Sequence, residues 1–328
     1  MDEMLRKKRM LGTELEVSSF CLGTAEFGAS ISKEEAFRQM DFFQERGGNF
    51  IDTAHVYNDW VAGERARSEK VIGAWMRERR NREHVFISTK GGHSLLETMH
   101  LSRAVPVEIK KDLEESLQSL KTDTIDLYFL HRDNESLPVS ELLGVLENAR
   151  REGKIRYYGC SNWKLPRIKE AVRVAAENGF EGFVCNQVMW SLATINKEKL
   201  SDSTLVIMDK KTLQFQQEAK MNIMAYTSMA KGYFAKRLSG RVVTEPNASI
   251  YGNAINDSLS QYLKKLSDEG LSPMAVSMGY LMKQKVPTVP IISFRDEKQL
   301  NEVIEASFAT LDDEKMEILE ELRNGKEK

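Results

Sequence analysis

A chain of 328 residues, 41% hydrophobic and 29% charged, is long enough to bury a large core. Its formal net charge of −2 and pI near 6.3 provide no basic surface for nucleic acid or an anionic membrane. No run approaches the roughly 18–20 apolar residues of a membrane span, and Gly12–Glu16 stands where a signal peptide would place its apolar core, so a cytoplasmic chain is expected.

Short apolar runs alternate with longer amphipathic ones along the whole sequence. The first run, Ser19–Gly23, precedes a helical segment opened by the capping-box pair Ser32 and Glu35, with Ala36, Met40 and Phe43 on one face. Gly47 and Gly48 end that segment just before the second run, Asn49–Thr53. Val85–Lys90 is the third run, and Ile109, Leu113, Leu117 and Leu120 mark the helix after it. Leu127–His131 is followed by the stripe Leu142, Leu146 and Ala149. Tyr157–Ser161 precedes a helix over Pro166–Asn178 that Gly179 closes, and Phe183–Val188, Asn222–Thr227 and Thr288–Ser293 complete eight runs.

The runs are rich in Val, Ile, Phe and Tyr and mostly lack alternation, which is the pattern of strands buried on both faces. Eight such strands separated by helices predict an α/β chain folded as one (β/α)8 TIM barrel, a single domain over 1–328. The rival is a doubly wound open sheet, weakened because no G-x-G-x-x-G follows the first strand. The stretch from Ser228 to Leu271 predicts an extended βα loop with a helix near Ser258–Leu266. Asp312–Leu322 predicts a C-terminal helix whose Met316, Leu319 and Leu322 pack on the barrel exterior, ahead of a frayed tail at Lys326–Lys328. Cys21, Cys160 and Cys185 each lie in an apolar run without metal-ligand spacing, so reduced, buried thiols are expected and no metal site.

In a barrel of this kind the working residues gather at the carboxyl ends of the strands. Those ends read Thr24, Asp52, Lys90, His131, Ser161–Asn162, Gln187, Tyr226 and Ser293. Any one alone is commonly a solvated tip or an ion pair; their convergence on one rim points to chemistry. Reducing a carbonyl needs a hydride from a cofactor and a proton for the developing alkoxide. Tyr57, five residues beyond Asp52, is placed to give that proton. Lys90 can make its anion tolerable, Asp52 can pair the ammonium, and His131 can stabilise the substrate oxygen.

These residues resemble the aldo-keto reductase superfamily along nearly the whole chain. Leu11–Ser18 resembles the family's entry hairpin, Leu22-Gly-Thr24 its first strand end, and Asp52-Thr-Ala-His-Val-Tyr57 its D-T-A-x-x-Y signature. Ile87–Lys90, Asp126–His131, Gly159–Asn162, Asn186-Gln187 and Ala225-Tyr226 resemble the motifs that follow. The resemblance implies a catalytic tetrad of Asp52, Tyr57, Lys90 and His131, with Tyr57 the general acid. It implies that Ser161, Asn162 and Gln187 hold a nicotinamide carboxamide on which Tyr226 stacks. Thr24, the Thr227–Gly232 loop with Ser228, and Ser293 would line the rest of the cofactor path. Arg295 falls where the family meets an adenosine 2′-phosphate and Gln299 where it meets adenine, which favours NADP(H) over NAD(H). The sequence departs from the family at Val303, where an adenine-contacting Asn is frequent, at Ser228 for Pro, and at Asn58 for Gly, with Asp59–Arg67 lengthening that loop.

The expected partner is a small carbonyl compound or sugar. Phe27, Trp60 and Trp190 are candidate pocket walls, and His93, His100 and Arg103 are candidates to read polar oxygens, with a solvated loop explaining those three equally well. His55 is expected to be structural. Two other functions fit some of these residues: a nucleotide-binding, redox-sensing regulatory subunit, and a Schiff-base aldolase or isomerase working through Lys90. The second does not account for Ser161, Asn162, Gln187 and Arg295 together.

Overall fold

Eight strands with both faces covered by apolar neighbours close on themselves in parallel register. The computed structural model describes residues 4–308 and 311–325, so the Lys326–Lys328 tail lies outside the described residues. A short antiparallel hairpin, β1 (Lys7–Arg9) and β2 (Glu16–Ser18), comes first. The barrel strands are β3 (Cys21–Gly23), β4 (Phe50–Asp52), β5 (Phe86–Gly91), β6 (Ile125–Leu130), β7 (Ile155–Ser161), β8 (Phe183–Met189), β9 (Asn222–Tyr226) and β10 (Thr288–Ile292). They lie in that order, and β10 closes the ring by pairing with β3 through Ile291–Cys21 and Ile292–Leu22. Closure excludes the open-sheet rival.

The hairpin plugs the amino-terminal end of the barrel. Met10, Leu15 and Val17 join Phe50, Leu127, Phe129, Met224 and Val289 in the cluster that fills the interior. Asn222 clamps the hairpin turn, accepting from the Leu11 amide and donating to the Leu11 carbonyl, each at 2.8 Å. Lys8 reaches the Thr288 carbonyl at 2.9 Å. The three cysteines are free and buried, as their apolar runs predict.

The outer helices bury the stripes read from sequence. Ser32 caps Lys33–Glu45 by accepting from the Glu35 amide, and Ala36, Met40 and Phe43 face the core. Ile109, Leu113, Leu117 and Leu120 do the same from Pro106–Leu120, and Gly179, at φ 64°, ends Leu165–Asn178. Helix Arg67–Arg79, not singled out in the sequence, packs Val71, Ile72, Trp75 and Met76 inward. The long connection after β9 carries Tyr233–Leu238, Asn247–Tyr251 and Ala254–Asp268. Asp312 caps Asp313–Arg323, which rests on Ala254–Asp268 with Leu319 buried. No described helix is long and apolar enough to cross a membrane.

Candidate active site

At the carboxyl end of the barrel, β4, β5 and β6 deliver Asp52, Lys90 and His131 side by side, and the loop leaving β4 brings back Tyr57. Lys90 is sealed, and its ammonium donates to Asp52 Oδ2 at 2.7 Å, to the Thr53 carbonyl and to the Tyr57 hydroxyl at 3.2 Å. Burial pulls the Lys90 ammonium down, but Asp52 and Tyr57 outweigh it and hold the group above its ordinary value, so it is charged at neutral pH. Burial pushes the Tyr57 hydroxyl up, with the adjacent Lys90 opposing. Asp52 Oδ1 is filled separately, by Ser88 Oγ at 2.6 Å and Gln187 Nε2 at 2.8 Å.

His131 stands edge-on to Tyr57, with ring centroids 6.2 Å apart. Burial, followed by the nearby His93, Arg132 and Lys90, depresses its pKa well below 6.5, so the ring is neutral at pH 7. Its Nδ1 is sealed from solvent and has no partner among the described residues. The single proton therefore sits better on Nε2, as a donor to an oxygen above Tyr57.

The helix after the Tyr57 loop fixes the frame. Ser68, fully buried, lies 2.8 Å from the hydroxyls of both Thr24 and Thr53. Glu69 accepts from Thr89. Thr24, read as a cofactor residue, is buried and spends its hydroxyl on the Asp52 carbonyl and Ser68; it braces the strand end instead. Asn58 adopts φ 71°, a left-handed conformation that Asn tolerates better than most residues, which explains how it replaces Gly; its amide also ties down the Phe27 carbonyl at 2.7 Å.

On the opposite rim, Asn162, at φ 59°, contacts Ser161 Oγ through Nδ2, while its Oδ1 accepts from Tyr226 at 2.7 Å and from the Val206 amide. Ser161, Gln187 and Tyr226 thus lie on adjoining strands, β7 to β9, with Asn162 directly after β7. Thr227, Ala230, Lys231 and Gly232 all have positive φ, a backbone shape that forms anion-binding concavities. Ser228, where Pro is usual, donates to the Ile291 carbonyl at 2.7 Å and so ties this loop to β10. Ser293 and Arg295 are exposed, and Gln299 Oε1 accepts from the Arg295 amide. No carboxylate pairs with the Arg295 guanidinium among the described residues, which suits a phosphate. This donor set fits a dinucleotide. Val303 is buried among Leu300 and Ile304, so it serves the core and not an adenine site.

Two pocket-wall expectations are corrected. Phe27 is 1% exposed and packs in the main core with Leu22 and Val71; Trp190, also 1% exposed, packs edge-on to Tyr280 outside the barrel. Both aromatic side chains have more apolar area to bury among helices than at a wet mouth. Trp60, 52% exposed, lies on the loop after β4. Arg103 is committed to Asp112 and Glu108, and His55 to Glu115 at 2.8 Å, as structural residues. His100 is exposed. A residue missed in the sequence is Arg132, beside His131 in the chain: it is buried and joins the His131 carbonyl to Thr204 and Asp202. Its position directly after a strand-end histidine was the available signal; its partners, some 70 residues on, gave none.

A closed parallel barrel with Asp, Lys, His and Tyr gathered at one mouth is the architecture of a barrel oxidoreductase site. The Aldo/keto reductase family model matches residues 19–324, and the chain belongs to that family. It is 29% identical to norsolorinic acid reductase B of Aspergillus parasiticus, over 97% of this chain and 84% of that one. It is 28% identical to an aryl-alcohol dehydrogenase [NADP(+)] of Phanerodontia chrysosporium, over 94% of this chain and 83% of its relative. An uncharacterized oxidoreductase of Bacillus subtilis is 29% identical, over 95% and 94%. A crystal structure of a thermostable aldo-keto reductase with the inhibitor epalrestat superposes with a TM-score of 0.72 at 23% identity, covering 96% of this chain and 99% of that one, which bears out the fold.

Proposed function

We propose that this chain is an NADP(H)-dependent reductase of aldehyde, ketone or sugar carbonyls, working in the cytoplasm, with Tyr57 as general acid. The carrying observation is the Lys90 ammonium set between Asp52 Oδ2 and the Tyr57 hydroxyl. A bound reduced nicotinamide would supply the hydride to the carbonyl carbon. Tyr57 gives its proton to the carbonyl oxygen, and Lys90 stabilises the phenolate left behind. His131, neutral, donates to the same oxygen as charge grows there. Asp52, held by Ser88 and Gln187, fixes the ammonium. Ser161, Asn162, Gln187 and Tyr226 would hold the nicotinamide end, the Thr227–Gly232 loop and Ser293 the pyrophosphate path, and Arg295 and Gln299 the adenosine end. Arg295, whose guanidinium meets no carboxylate among the described residues, supports NADP(H), as does the name of the Phanerodontia chrysosporium relative.

The test is titration of the protein with NADPH and NADH, followed by turnover on a carbonyl panel, repeated with Tyr57→Phe. Tighter NADPH binding, and turnover that collapses in the variant while binding holds, is the expected result. Absence of binding by either nucleotide would overturn the proposal.

A further inference from the structure

A cavity of about 340 Å³ opens between the loop after β4 and the loop after β5, and its wall includes Lys90, His93 and Ser94 with Leu95 and Leu96 at the rim. His93 stands between this cavity and His131: the two imidazole rings meet edge-on with centroids 4.7 Å apart. The ring of His93 is nearly sealed, and its Nδ1 lies 2.7 Å from the Ser94 carbonyl. A carbonyl only accepts, so Nδ1 carries the proton and Nε2 is left as a bare acceptor. That Nε2 has no partner among the described residues. Burial, with Arg132 nearby, lowers the pKa of His93, so this acceptor persists at neutral pH.

Two neutral imidazoles of opposite polarity therefore sit next to each other, His131 offering a proton to the reacting oxygen and His93 a lone pair. We infer that His93 is a specificity-determining residue that reads a hydroxyl carried on the α or β carbon beside the reacting carbonyl. This rests on the carbonyl-reductase reading. The spacing decides the class. With the two rings only 4.7 Å apart, a carbonyl oxygen on His131 and a hydroxyl on His93 belong to one molecule and lie on carbons one or two bonds apart. A substrate with an ether or methyl in that place brings Nε2 no proton, whereas a hydroxyl does, and a site that bonds a hydroxyl discriminates against its absence. Leu95 and Leu96 at the rim, both partly exposed, offer apolar surface to the body of an aryl compound.

The experiment compares 2-hydroxybenzaldehyde, 2-methoxybenzaldehyde and 2-methylbenzaldehyde as substrates of the full chain with saturating NADPH. It is run on the wild type, His93→Phe and His93→Gln. The wild type should favour the hydroxy compound by about tenfold in kcat/KM over the other two. His93→Phe should erase that preference, bringing the three aldehydes within threefold of one another, and His93→Gln, which keeps an acceptor oxygen, should restore part of it. Equal rates for the hydroxy and methoxy compounds in the wild type would overturn the inference even if His93→Phe did not fold. A preference that survives His93→Phe, or an equal fall on all three aldehydes, would also overturn it. NADPH binding with no turnover of any of the three sinks the inference alone; no nucleotide binding sinks it together with the reductase reading.

Discussion

Gln187 donates to Asp52 across the full width of the barrel, from β8 to the strand diametrically opposite, at 2.8 Å. The hydrogen bond makes the closed ring part of the site, because the carboxylate that pairs Lys90 is held from two sides. Replacing it by Gln187→Glu faces two carboxylates in a sealed space. One of them must keep its proton, so its folded pKa rises above the unfolded value of about 4.3. A raised folded pKa means stability present at low pH and lost as pH rises. The variant should match the wild type near pH 4.5 and fall about 2–4 kcal/mol below it by pH 8, read by urea unfolding. A deficit that does not change with pH would contradict this.

Lys90 and Asp52 form an ion pair with side chains 1% and 2% exposed. Removing either partner alone strands a buried charge, at about 3–5 kcal/mol. Asp52→Leu and Lys90→Met should each show that loss. The double variant should recover a large part of it, a coupling that additive losses would disprove.

Two histidines with depressed pKa values, His131 and His93, bind fewer protons folded than unfolded between their folded values and 6.5. Their contribution is present above pH 6.5 and is lost as pH falls. Stability should drop on going from pH 7.5 to 5.0, with each histidine adding up to about 1.4 kcal/mol per pH unit to the slope below 6.5. The same scan on His131→Asn should show a slope shallower by one proton; an unchanged slope would mean that His131 titrates normally in the native state.

Gly73 and Gly144 are both helical, but a Cβ at Gly73 would meet the Ser119 carbonyl oxygen at 2.3 Å, while one at Gly144 meets nothing within 4 Å. Gly73→Ala should therefore destabilise by about 1–3 kcal/mol by driving helices Arg67–Arg79 and Pro106–Leu120 apart. Gly144→Ala should stabilise by about 0.5–1 kcal/mol through backbone entropy. Thermal melts of the two variants should shift in opposite directions.

The barrel was legible because its strands are apolar on both faces and end in polar residues: Asp52, Lys90 and His131 stand out against Phe50-Ile51, Ile87 and Leu127–Leu130. Tyr57 was found through its distance from Asp52. What the sequence concealed depends on sites distant in the chain. Thr24 and Gln187 look like ligand-facing strand ends, yet Thr24 is spent on Asp52 and Ser68, and Gln187 already gives one donor to Asp52. Phe27 and Trp190 follow strand ends as pocket walls would, but the helices around them offer a drier place. Arg132 was hidden because Asp202 and Thr204 reach it from a loop without periodicity.

The seam between β3 and β10 joins Cys21 to Ile291 and Leu22 to Ile292. During synthesis β3 emerges among the first elements, and its outer edge must wait for some 270 further residues before its partner exists. Through that interval an apolar edge is open to pairing with other chains. The nascent protein is thus most prone to aggregate before Thr288–Ile292 has left the ribosome, and a pause at any point between β3 and β10 prolongs that exposure by its own length.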